Sequence, residues 1–371
     1  MNRIVITLLI STLLLSCKKE QKGTSETKKP QVTMYRLDGG TIQVNNLQIF
    51  SQGDLYEGES KQFANSYYVI DHPKGTLIWD TGVSNGLAGK EPQTSPDGNF
   101  TFSRKVSIAN QLRALGIAIS DIDYVSFSHT HADHTGGAYA FTGATWLVQE
   151  KEYTYVKSEE TQKNNPRQFN AIKKLSKIQI LNGDHDVFGD GTVVIKFMPG
   201  HTPGHSALFV DLTQEGPVLL SGDLYHFNEN RENKVVPSFN TSVEETKKSF
   251  EAFEAFAKEK NAKVIIQHEP KDFSQTIRGE FIFLDDAAVL KGRDFIYGVK
   301  IDEKMHELAS QVENKKRDQF DMVPVIINGV INPKAKGAEG WDNVVTIKGI
   351  LEIKEPTSKG SVKIESAQTS N

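Results

Sequence analysis

Cysteine is almost absent from this chain of 371 residues, because Cys17 is the only one. No disulfide can form within the chain, and no other thiol is available as a catalytic nucleophile. An excess of positive charge is also missing: 43 Lys and Arg face 47 Asp and Glu, for a formal net charge of −4. A nucleic-acid partner is therefore disfavoured. No glycine-rich nucleotide-binding loop stands out, and the composition is that of an ordinary soluble globular protein.

The N-terminal segment lacks an apolar run long enough to span a bilayer as a mature helix. A positive start, Asn2-Arg3, precedes the apolar residues 4–15, and the segment ends at Leu14-Leu15-Ser16-Cys17. This ending resembles a bacterial lipobox, in which the cysteine becomes the lipidated first residue. We expect a lipoprotein signal at 1–17, a polar tether at 18–31, and a protein anchored in the bacterial cell envelope, on its periplasmic or outer-surface face. An ordinary cleaved signal peptide or an uncleaved anchor is the alternative.

Three of the chain's ten histidines lie within six residues, in the segment 128–137. His129 and His131 alternate, so on an extended segment they share a face, whereas the adjacent Asp133 and His134 point elsewhere. Imidazole nitrogen and carboxylate oxygen are ligands of a borderline metal such as zinc, and this arrangement suits a second ion beside the first. A polar loop with histidines by chance is the alternative, but ligand-type residues recur in matching places later in the chain.

Those later residues lie in segments that follow predicted strands. His201 lies in a loop made rigid by two glycines and two prolines, and we assign its neighbour His205 a hydrogen bond that stabilises the turn. Asp223 follows an apolar strand and has two oxygens, which can bridge two cations. His268 also ends a buried strand. Asp80 ends another, where it either forms a turn or orients a metal-bound histidine. Each residue would be an ordinary strand-end group if it stood alone.

Apolar strands that repeatedly end in ligand residues indicate a site at one edge of packed sheets. The available ligands are His129, His131, Asp133, His134, His201, Asp223 and His268. Two metal ions in such a site can hold a water or hydroxide between them, lower its pKa and polarise a carbonyl or phosphoryl group of a substrate. The sequence therefore predicts metal-assisted hydrolysis.

The wider pattern predicts two structural parts. Residues 32–278 mix strands and helices, beginning with a hairpin at 32–50 around Gly39-Gly40, and form the hydrolase domain. The following pattern contains four strands and one helix without a ligand cluster, which predicts a small β-rich, barrel-like accessory domain at 279–355. Residues 356–371 form a polar tail.

Over about 32–275 the sequence resembles the metallo-β-lactamase superfamily. The resemblance rests on Asp80-Thr81-Gly82, the run 129–134, His201, Asp223 and His268, in that order. It implies a four-layer αβ/βα sandwich with a dinuclear zinc site at its edge, and it favours the orienting role for Asp80. It also implies how the two Zn²⁺ ions are held: by His129, His131 and His201 for one ion, by Asp133, His134 and His268 for the other, and by Asp223 as the bridge.

Within the superfamily the chain looks most like the N-acyl homoserine lactonases, in the segments 35–42, 47–50, 128–137, 199–206 and 221–225. The resemblance implies a quorum-quenching enzyme in which a bridging hydroxide attacks a lactone carbonyl and Asp133 carries the proton to the leaving alcohol. A tyrosine just after the bridging aspartate would polarise the carbonyl, and Tyr225 is the candidate. Well-known lactonases carry this tyrosine three residues past the aspartate, a place that His226 occupies here, so His226 is the second candidate.

Other hydrolases are alternatives: a thioesterase of the glyoxalase II kind, a β-lactamase or a phosphodiesterase. The glyoxalase pattern can have glutamate after its last ligand, as Glu269 follows His268 here. The glutathione thioester that such an enzyme hydrolyses, however, would be scarce outside the cytoplasm, which argues against this alternative if Cys17 is lipidated. A non-catalytic metal-binding envelope protein is a third hypothesis, and the presence of all seven ligands argues against it. We expect a small-molecule lactone or ester as substrate and membrane attachment through Cys17.

Overall fold

The computed structural model describes residues 29–337 and 339–356. The predicted signal segment with Cys17, the tether up to residue 28 and the tail from residue 357 lie outside the described residues, so lipid attachment remains a prediction. Within the described ranges, no helix combines the length and the apolar character that crossing a membrane requires.

Two mixed sheets and a closed barrel contain the main strands of the described residues. The first sheet consists of Thr33–Val44 (β1), Lys61–His72 (β2), Gly75–Trp79 (β3), Gln93–Thr94 (β4), Phe100–Ser103 (β5), Tyr124–Ser126 (β6), Thr145–Gln149 (β7) and Ile178–Leu181 (β8). The second consists of His185–Asp186 (β9), Val193–Phe197 (β10), Ser206–Leu212 (β11), Gly216–Leu220 (β12) and Lys263–Ile265 (β13). The strand orders are β4-β5-β1-β2-β3-β6-β7-β8 and β13-β12-β11-β10-β9. The barrel consists of Gln275–Leu284 (β14), Ala287–Lys291 (β15), Ile296–Val299 (β16), Val323–Pro333 (β17) and Asn343–Ile353 (β18).

The α-helices of the described residues connect these strands. They are Ile108–Leu115 (α1), Ala132–Thr135 (α2), Glu150–Lys157 (α3), Glu159–Asn164 (α4), Pro166–Ile172 (α5), Asn228–Glu232 (α6), Val243–Glu259 (α7) and Glu303–Glu313 (α8). Short 3-10 helices lie at Leu47–Phe50, Asn85–Leu87, Ile119–Asp121, Ala138–Phe141 and Gly222–Leu224. The sequence explains α1 directly: Ser107 caps it by accepting a hydrogen bond from the N–H of Asn110, and Gly116 ends it with a φ of 79°.

The two sheets face each other and enclose an apolar core that includes Trp79, Leu147 and Leu208. A second core lies between the outer face of the first sheet and helices α1, α3 and α5. A third lies between the outer face of the second sheet and α7, which contributes Phe250 and Phe253. The order helix, sheet, sheet, helix confirms the predicted αβ/βα sandwich.

The predicted hairpin at 32–50 is wrong, because β1 runs straight through Gly39-Gly40. β2 pairs along β1, with a register shift between Asp38 and Gly40. The glycines allow a close backbone approach instead: a Cβ on Gly39 would lie 2.9 Å from the Cα of Gly82. Two glycines inside an alternating run suit a turn and a β-bulge alike, so the sequence pattern does not separate the two.

The C-terminal barrel confirms the predicted β-rich region. Its third and fifth strands, β16 and β18, are parallel, and the other neighbours are antiparallel. Helix α8 buries Met305, Leu308 and Val312 in the barrel core. The sequence missed β15, which is short and rich in alanine, a weak strand former. The first barrel strand starts at Gln275, so the predicted boundary at 279 falls inside it.

A buried polar network joins the barrel to the sandwich. Arg36 of β1 is 5% exposed and forms an ion pair with Glu215, whose other oxygen accepts a hydrogen bond from Asn328 at 2.8 Å. Arg36 also donates to the hydroxyl of Ser274 through its guanidinium and to the hydroxyl of Thr276 through its backbone N–H. Because both parts of the chain contribute, the network fixes β14 against β1.

Replacing Glu215 by alanine is expected to destabilise the protein by about 2–3 kcal/mol, because Arg36 would stay buried without its ionic partner. A fully buried pair would lose more, but the Glu215 side chain is 19% exposed. The control Glu244→Ala removes a carboxylate from the exposed pair with Lys248 and is expected to leave the free energy of unfolding unchanged. Urea unfolding measures both, and equal midpoints for the two variants would contradict the role of the network.

Candidate metal centre

Five strands deliver their carboxyl ends to one edge of the sandwich. β3 and β6 are parallel neighbours in the first sheet, and β12 and β13 are parallel neighbours in the second. β10 runs in the direction of β12, because both pair antiparallel with β11. The segments after these strands carry the predicted site residues Asp80, His129, His131, Asp133, His134, His201, Asp223 and His268.

The first set of donors consists of His129, His131, His201 and Asp223. Nε2 of His201 lies 3.1 Å from Nε2 of His129 and 3.1 Å from Nδ1 of His131. Oδ2 of Asp223 lies 3.6 Å from Nε2 of His129 and 3.4 Å from Nε2 of His201. The four donor atoms therefore surround one point.

The second set consists of Asp133, His134, Asp223 and His268. Nε2 of His134 lies 3.3 Å from Nε2 of His268, and Oδ2 of Asp133 lies 3.5 Å from each of these nitrogens. Oδ1 of Asp223 lies 3.1 Å from His134 and 3.0 Å from His268. In each set the donor atoms all lie within 4.8 Å of one another.

Asp223 belongs to both sets because its two oxygens face different histidines. Its backbone is held by His205, whose Nε2 accepts a hydrogen bond from the Asp223 N–H at 3.0 Å. The Nδ1 of His205 donates to the carbonyl of Met198 at 2.9 Å. Burial lowers the pKa of His205 to about 4, so the ring is neutral and can accept as well as donate. His205 therefore positions Asp223 and contributes to neither set.

The ring nitrogens on the far side of the ligands have hydrogen-bond partners. Nδ1 of His268 donates to the carbonyl of Ala64 at 2.9 Å, and Nδ1 of His201 donates to the amide oxygen of Asn240 at 2.8 Å. Nδ1 of His129 lies 3.1 Å from the hydroxyl of its neighbour Ser128. Such bonds fix the orientation of each ring, so each Nε2 faces the centre of its set.

Asp80 supports the second set from behind. Its Oδ2 lies 3.2 Å from Nδ1 of His134 and accepts a hydrogen bond from Gln267 at 2.9 Å, while its Oδ1 accepts one from the N–H of Ser128 at 2.8 Å. The backbone of Asp80 has a φ of 59°, which is strained for a residue with a side chain. The surrounding contacts hold this conformation, and Asp80 orients His134.

Electrostatics distinguishes the two sets. Burial and the neighbouring imidazoles hold the pKa of His129 well below its usual range, and burial likewise lowers that of His201. Burial also disfavours a charge on His134 and His268, but the carboxylates of Asp223 and Asp133 outweigh it and raise both pKa values. The first set thus offers neutral imidazoles, whereas the second must release protons when a cation binds.

These residues fit a dinuclear metal centre. In the first set, unprotonated imidazole nitrogens that face each other across 3.1 Å repel through their lone pairs, and the buried carboxylate of Asp223 needs positive charge nearby. A cation at the centre of each set would remove both penalties, and nitrogen and carboxylate donors in sets of four suit a metal such as zinc.

Tyr225 is not part of the centre, which corrects the role proposed from the resemblance. Its ring is buried under α7 and stacks on Phe250 at 4.6 Å. Burial and the carboxylate of Glu254 raise the pKa of Tyr225, so its hydroxyl stays protonated and bonds to Glu254. The physical reason is local geometry: Tyr225 has extended backbone angles, so its side chain and that of His226 point to opposite sides.

His226, by contrast, reaches the centre. Its Nε2 lies 3.1 Å from Oδ2 of Asp223, and its ring packs edge-on against Phe50 at 4.8 Å. Of the two carbonyl-polarising candidates in the sequence, the structure brings only His226 to the ligands.

A cavity of about 480 Å³ opens onto the donors, and His131, Asp133, Asp223, His226 and His268 line it. Its apolar lining consists of Ile42, Ile49, Phe50, Phe63, Phe100, Phe102 and Phe239. Polar lining residues include Asn99, Tyr155 and Gln168. This lining was not predicted from the sequence. The alternation of Phe100 and Phe102, in a stretch otherwise without periodicity, is the one pattern that indicates a strand there.

A family model described as the metallo-beta-lactamase superfamily matches residues 61–268, and these residues include every ligand of both sets. The chain belongs to the metallo-β-lactamase superfamily. Similar superfamily members include N-acyl homoserine lactonase AttM of Rhizobium radiobacter, 32% identical over 255 residues, which cover 64% of this chain and 94% of AttM. An N-acyl homoserine lactonase of a Bacillus species is 31% identical over 208 residues, or 54% of this chain and 79% of the relative.

Solved structures agree on the superfamily fold. A quorum-quenching N-acyl homoserine lactone hydrolase matches with a TM-score of 0.54 and 25% identity, over 65% of this chain and 93% of its own. An N-acyl homoserine lactone hydrolase with the product N-hexanoyl-L-homoserine bound at its catalytic metal centre matches with a TM-score of 0.55 and 24% identity. This match covers 65% of the present chain and 94% of the other. Both matches cover about two thirds of this chain.

The purified protein is expected to retain two metal ions per chain after dialysis. His201→Ala should lose the ion of the first set, and His268→Ala the ion of the second. Asp223→Ala should weaken both, because both sets share its carboxylate. Elemental analysis of the dialysed variants measures these stoichiometries. A folded wild-type protein that binds no divalent ion would contradict the assignment.

Proposed function

We propose that this protein is a dinuclear zinc hydrolase that opens the lactone ring of N-acyl homoserine lactones, as a quorum-quenching enzyme. One observation carries the proposal: two sets of metal ligands share Asp223 beside a cavity with a phenylalanine-rich lining. Relatives at least 30% identical that match most of the sandwich, AttM among them, are N-acyl homoserine lactonases.

Zinc is the proposed metal because imidazole nitrogen and carboxylate oxygen are its usual ligands, and four-coordinate sites are its preference. When bound, two such ions lower the pKa of a water molecule and polarise the carbonyl of the substrate. The protein's own contribution is to hold the ligands in a buried site and to place proton donors and acceptors beside the reacting bond.

Asp133 is the proposed proton carrier. Its side chain is 21% exposed, whereas that of Asp223 is 5% exposed, so Asp133 is the carboxylate with more freedom to exchange a proton. Asp133 also lines the cavity, so its carboxylate can take a proton from the attacking water and deliver it to the ring oxygen as its bond to the carbonyl carbon breaks, which leaves that oxygen in the product as a hydroxyl group.

His226 is the proposed donor to the carbonyl oxygen. Its Nε2 lies beside Asp223, which the two ligand sets share, and its ring lines the cavity. An N–H in this place can hydrogen-bond to the oxygen on which negative charge develops during attack. The role that the tyrosine has in the lactonase resemblance thereby passes to a histidine.

The apolar lining suits the acyl chain of the substrate. Five phenylalanines line the same cavity as the ligands: Phe50, Phe63, Phe100, Phe102 and Phe239. Each methylene that moves from water into this lining contributes about 0.8 kcal/mol. The polar residues Asn99 and Gln168 offer partners for the amide that joins the acyl chain to the lactone.

A substrate panel tests the reaction class. Zinc-loaded protein is expected to release one proton per molecule of N-hexanoyl or N-decanoyl homoserine lactone, because ring opening creates a carboxylic acid. Turnover should be slower on a glutathione thioester, a β-lactam and a phosphodiester. Titration at constant pH measures the rate, and mass spectrometry identifies the opened product. Faster turnover of another class would overturn the lactonase assignment, whereas undiminished turnover by Asp223→Ala would overturn the bridging role of Asp223.

Replacing His226 and Tyr225 in turn by phenylalanine tests which of the two side chains takes part in catalysis. His226→Phe keeps the ring packing but removes the donor, and kcat for the lactone is expected to fall by about 100-fold. Tyr225→Phe removes only a hydroxyl that bonds to Glu254 in the core, so kcat should not change. Steady-state kinetics checks both variants. A large fall with Tyr225→Phe and none with His226→Phe would reverse the assignment.

A further inference from the structure

A buried carboxylate lies behind the first ligand set. Glu152 belongs to α3 and is 3% exposed, yet its sequence neighbours Glu150 and Lys151 are exposed. Among the described residues, the Glu152 carboxylate forms no ion pair with lysine or arginine; its close partners are hydrogen-bond donors. A buried anion supported only by hydrogen bonds is costly, so its place in the fold calls for an explanation.

The hydrogen bonds of Glu152 divide evenly between two loops. Oε1 accepts from the N–H of Thr130 at 2.8 Å and from its hydroxyl at 2.7 Å. Oε2 accepts from the hydroxyl of Thr202 at 2.7 Å and from the N–H of Gly204 at 3.0 Å. Each oxygen therefore binds one loop.

These two loops carry the histidines of the first set. Thr130 stands between His129 and His131 in the sequence, and Thr202 follows His201. The loops come from different sheets and meet only at this edge of the sandwich. The distance between their histidines therefore depends on what joins the loops: a backbone hydrogen bond from the N–H of Ser206 to the carbonyl of Ser128 at 2.8 Å, and the Glu152 carboxylate beside the histidines themselves.

The contact is tight on the His201 side. A Cβ on Gly204 would lie 2.4 Å from the backbone nitrogen and 2.4 Å from the Cβ of Glu152, so only glycine lets the loop approach α3 this closely. Four donors converge on the two oxygens, an arrangement that the ionised form, an acceptor only, satisfies completely.

We propose that Glu152 is the positioning residue of the first ligand set: it sets the spacing between the His129–His131 loop and the His201 loop, and thereby the affinity for the first metal ion. Glu152 touches neither the ion nor the substrate. The inference rests on the dinuclear centre of the proposed function but not on the lactone as substrate. Metal binding therefore tests it even if the substrate assignment fails.

Glu152→Gln tests the proposal with almost no change of shape. The amide NH₂ would face either the Gly204 N–H or the Thr130 N–H, so one loop loses its acceptor whichever way the amide turns. The affinity for the first metal ion is expected to fall by about 10- to 100-fold, while the affinity for the second stays the same. Losses of this size follow when a hydrogen-bond partner behind a metal ligand is removed. Glu150→Gln is the matched control, because it makes the same chemical change on the exposed side of the same helix.

Titration of metal-free protein with Co²⁺, followed by visible absorption, measures both affinities and the ligand field of each ion. The spectrum of the ion that Glu152→Gln retains should match that of His201→Ala, which keeps only the second set, and differ from that of His268→Ala. Wild-type affinity at both sites would overturn the proposal. An equal loss at both sites would also overturn it, since it would indicate a general structural role.

A second pair of variants decides the question if Glu152→Gln does not fold. Thr202→Val removes one hydroxyl from the carboxylate and should weaken the first ion selectively, whereas Thr202→Ser keeps the hydroxyl and should restore its affinity. Equal affinity for the first ion in these two variants would contradict the proposed positioning through Glu152.

Discussion

A single buried carboxylate that faces two groups of imidazoles is the contact on which the rest of the structure depends. Asp223 has one oxygen toward His134 and His268 and the other toward His129 and His201. The lone pairs of His129 and His201, 3.1 Å apart, repel each other without a cation between them. The fold must therefore hold the groups together against their own repulsion, and its strand order, tight glycine contacts and strained Asp80 all serve that requirement.

The support comes mainly from residues that touch no ligand nitrogen in the centre. His205 fixes the backbone of Asp223, Asp80 bonds to the far side of His134, and Glu152 bonds to the loops around His129 and His201. These contacts differ in chemistry: a neutral ring, a carboxylate in a strained turn, and a carboxylate with four donors. Geometry at the centre is thus determined by an outer layer of buried polar groups, as is usual for metal sites.

The candidate ligands could be predicted from the sequence because ligand-type residues at the ends of apolar strands are a local signal, whereas the four-layer sandwich was implied by the resemblance to the metallo-β-lactamase superfamily. The sequence could not predict contacts that depend on distant partners. The register of β1 shifts at Gly39-Gly40, where Gly82, which is distant in the sequence, packs closely against the strand. Glu152 has the sequence context of a surface glutamate on a charged helix, and only the approach of two loops buries it. Which of Tyr225 and His226 reaches the metal centre could be decided only from the backbone angles of Tyr225, which place the two side chains on opposite sides.

The polar network around Arg36 has a consequence for the order in which the chain can fold. Arg36 is in the first strand, yet its backbone N–H bonds to Thr276, 240 positions away. The guanidinium of Arg36 also bonds to Ser274, and Asn328 of the barrel bonds to its ionic partner Glu215, so the network is complete only when the barrel strands are in place. The sandwich therefore reaches its final polar contacts only when the barrel docks, so these contacts are among the most non-local in the fold.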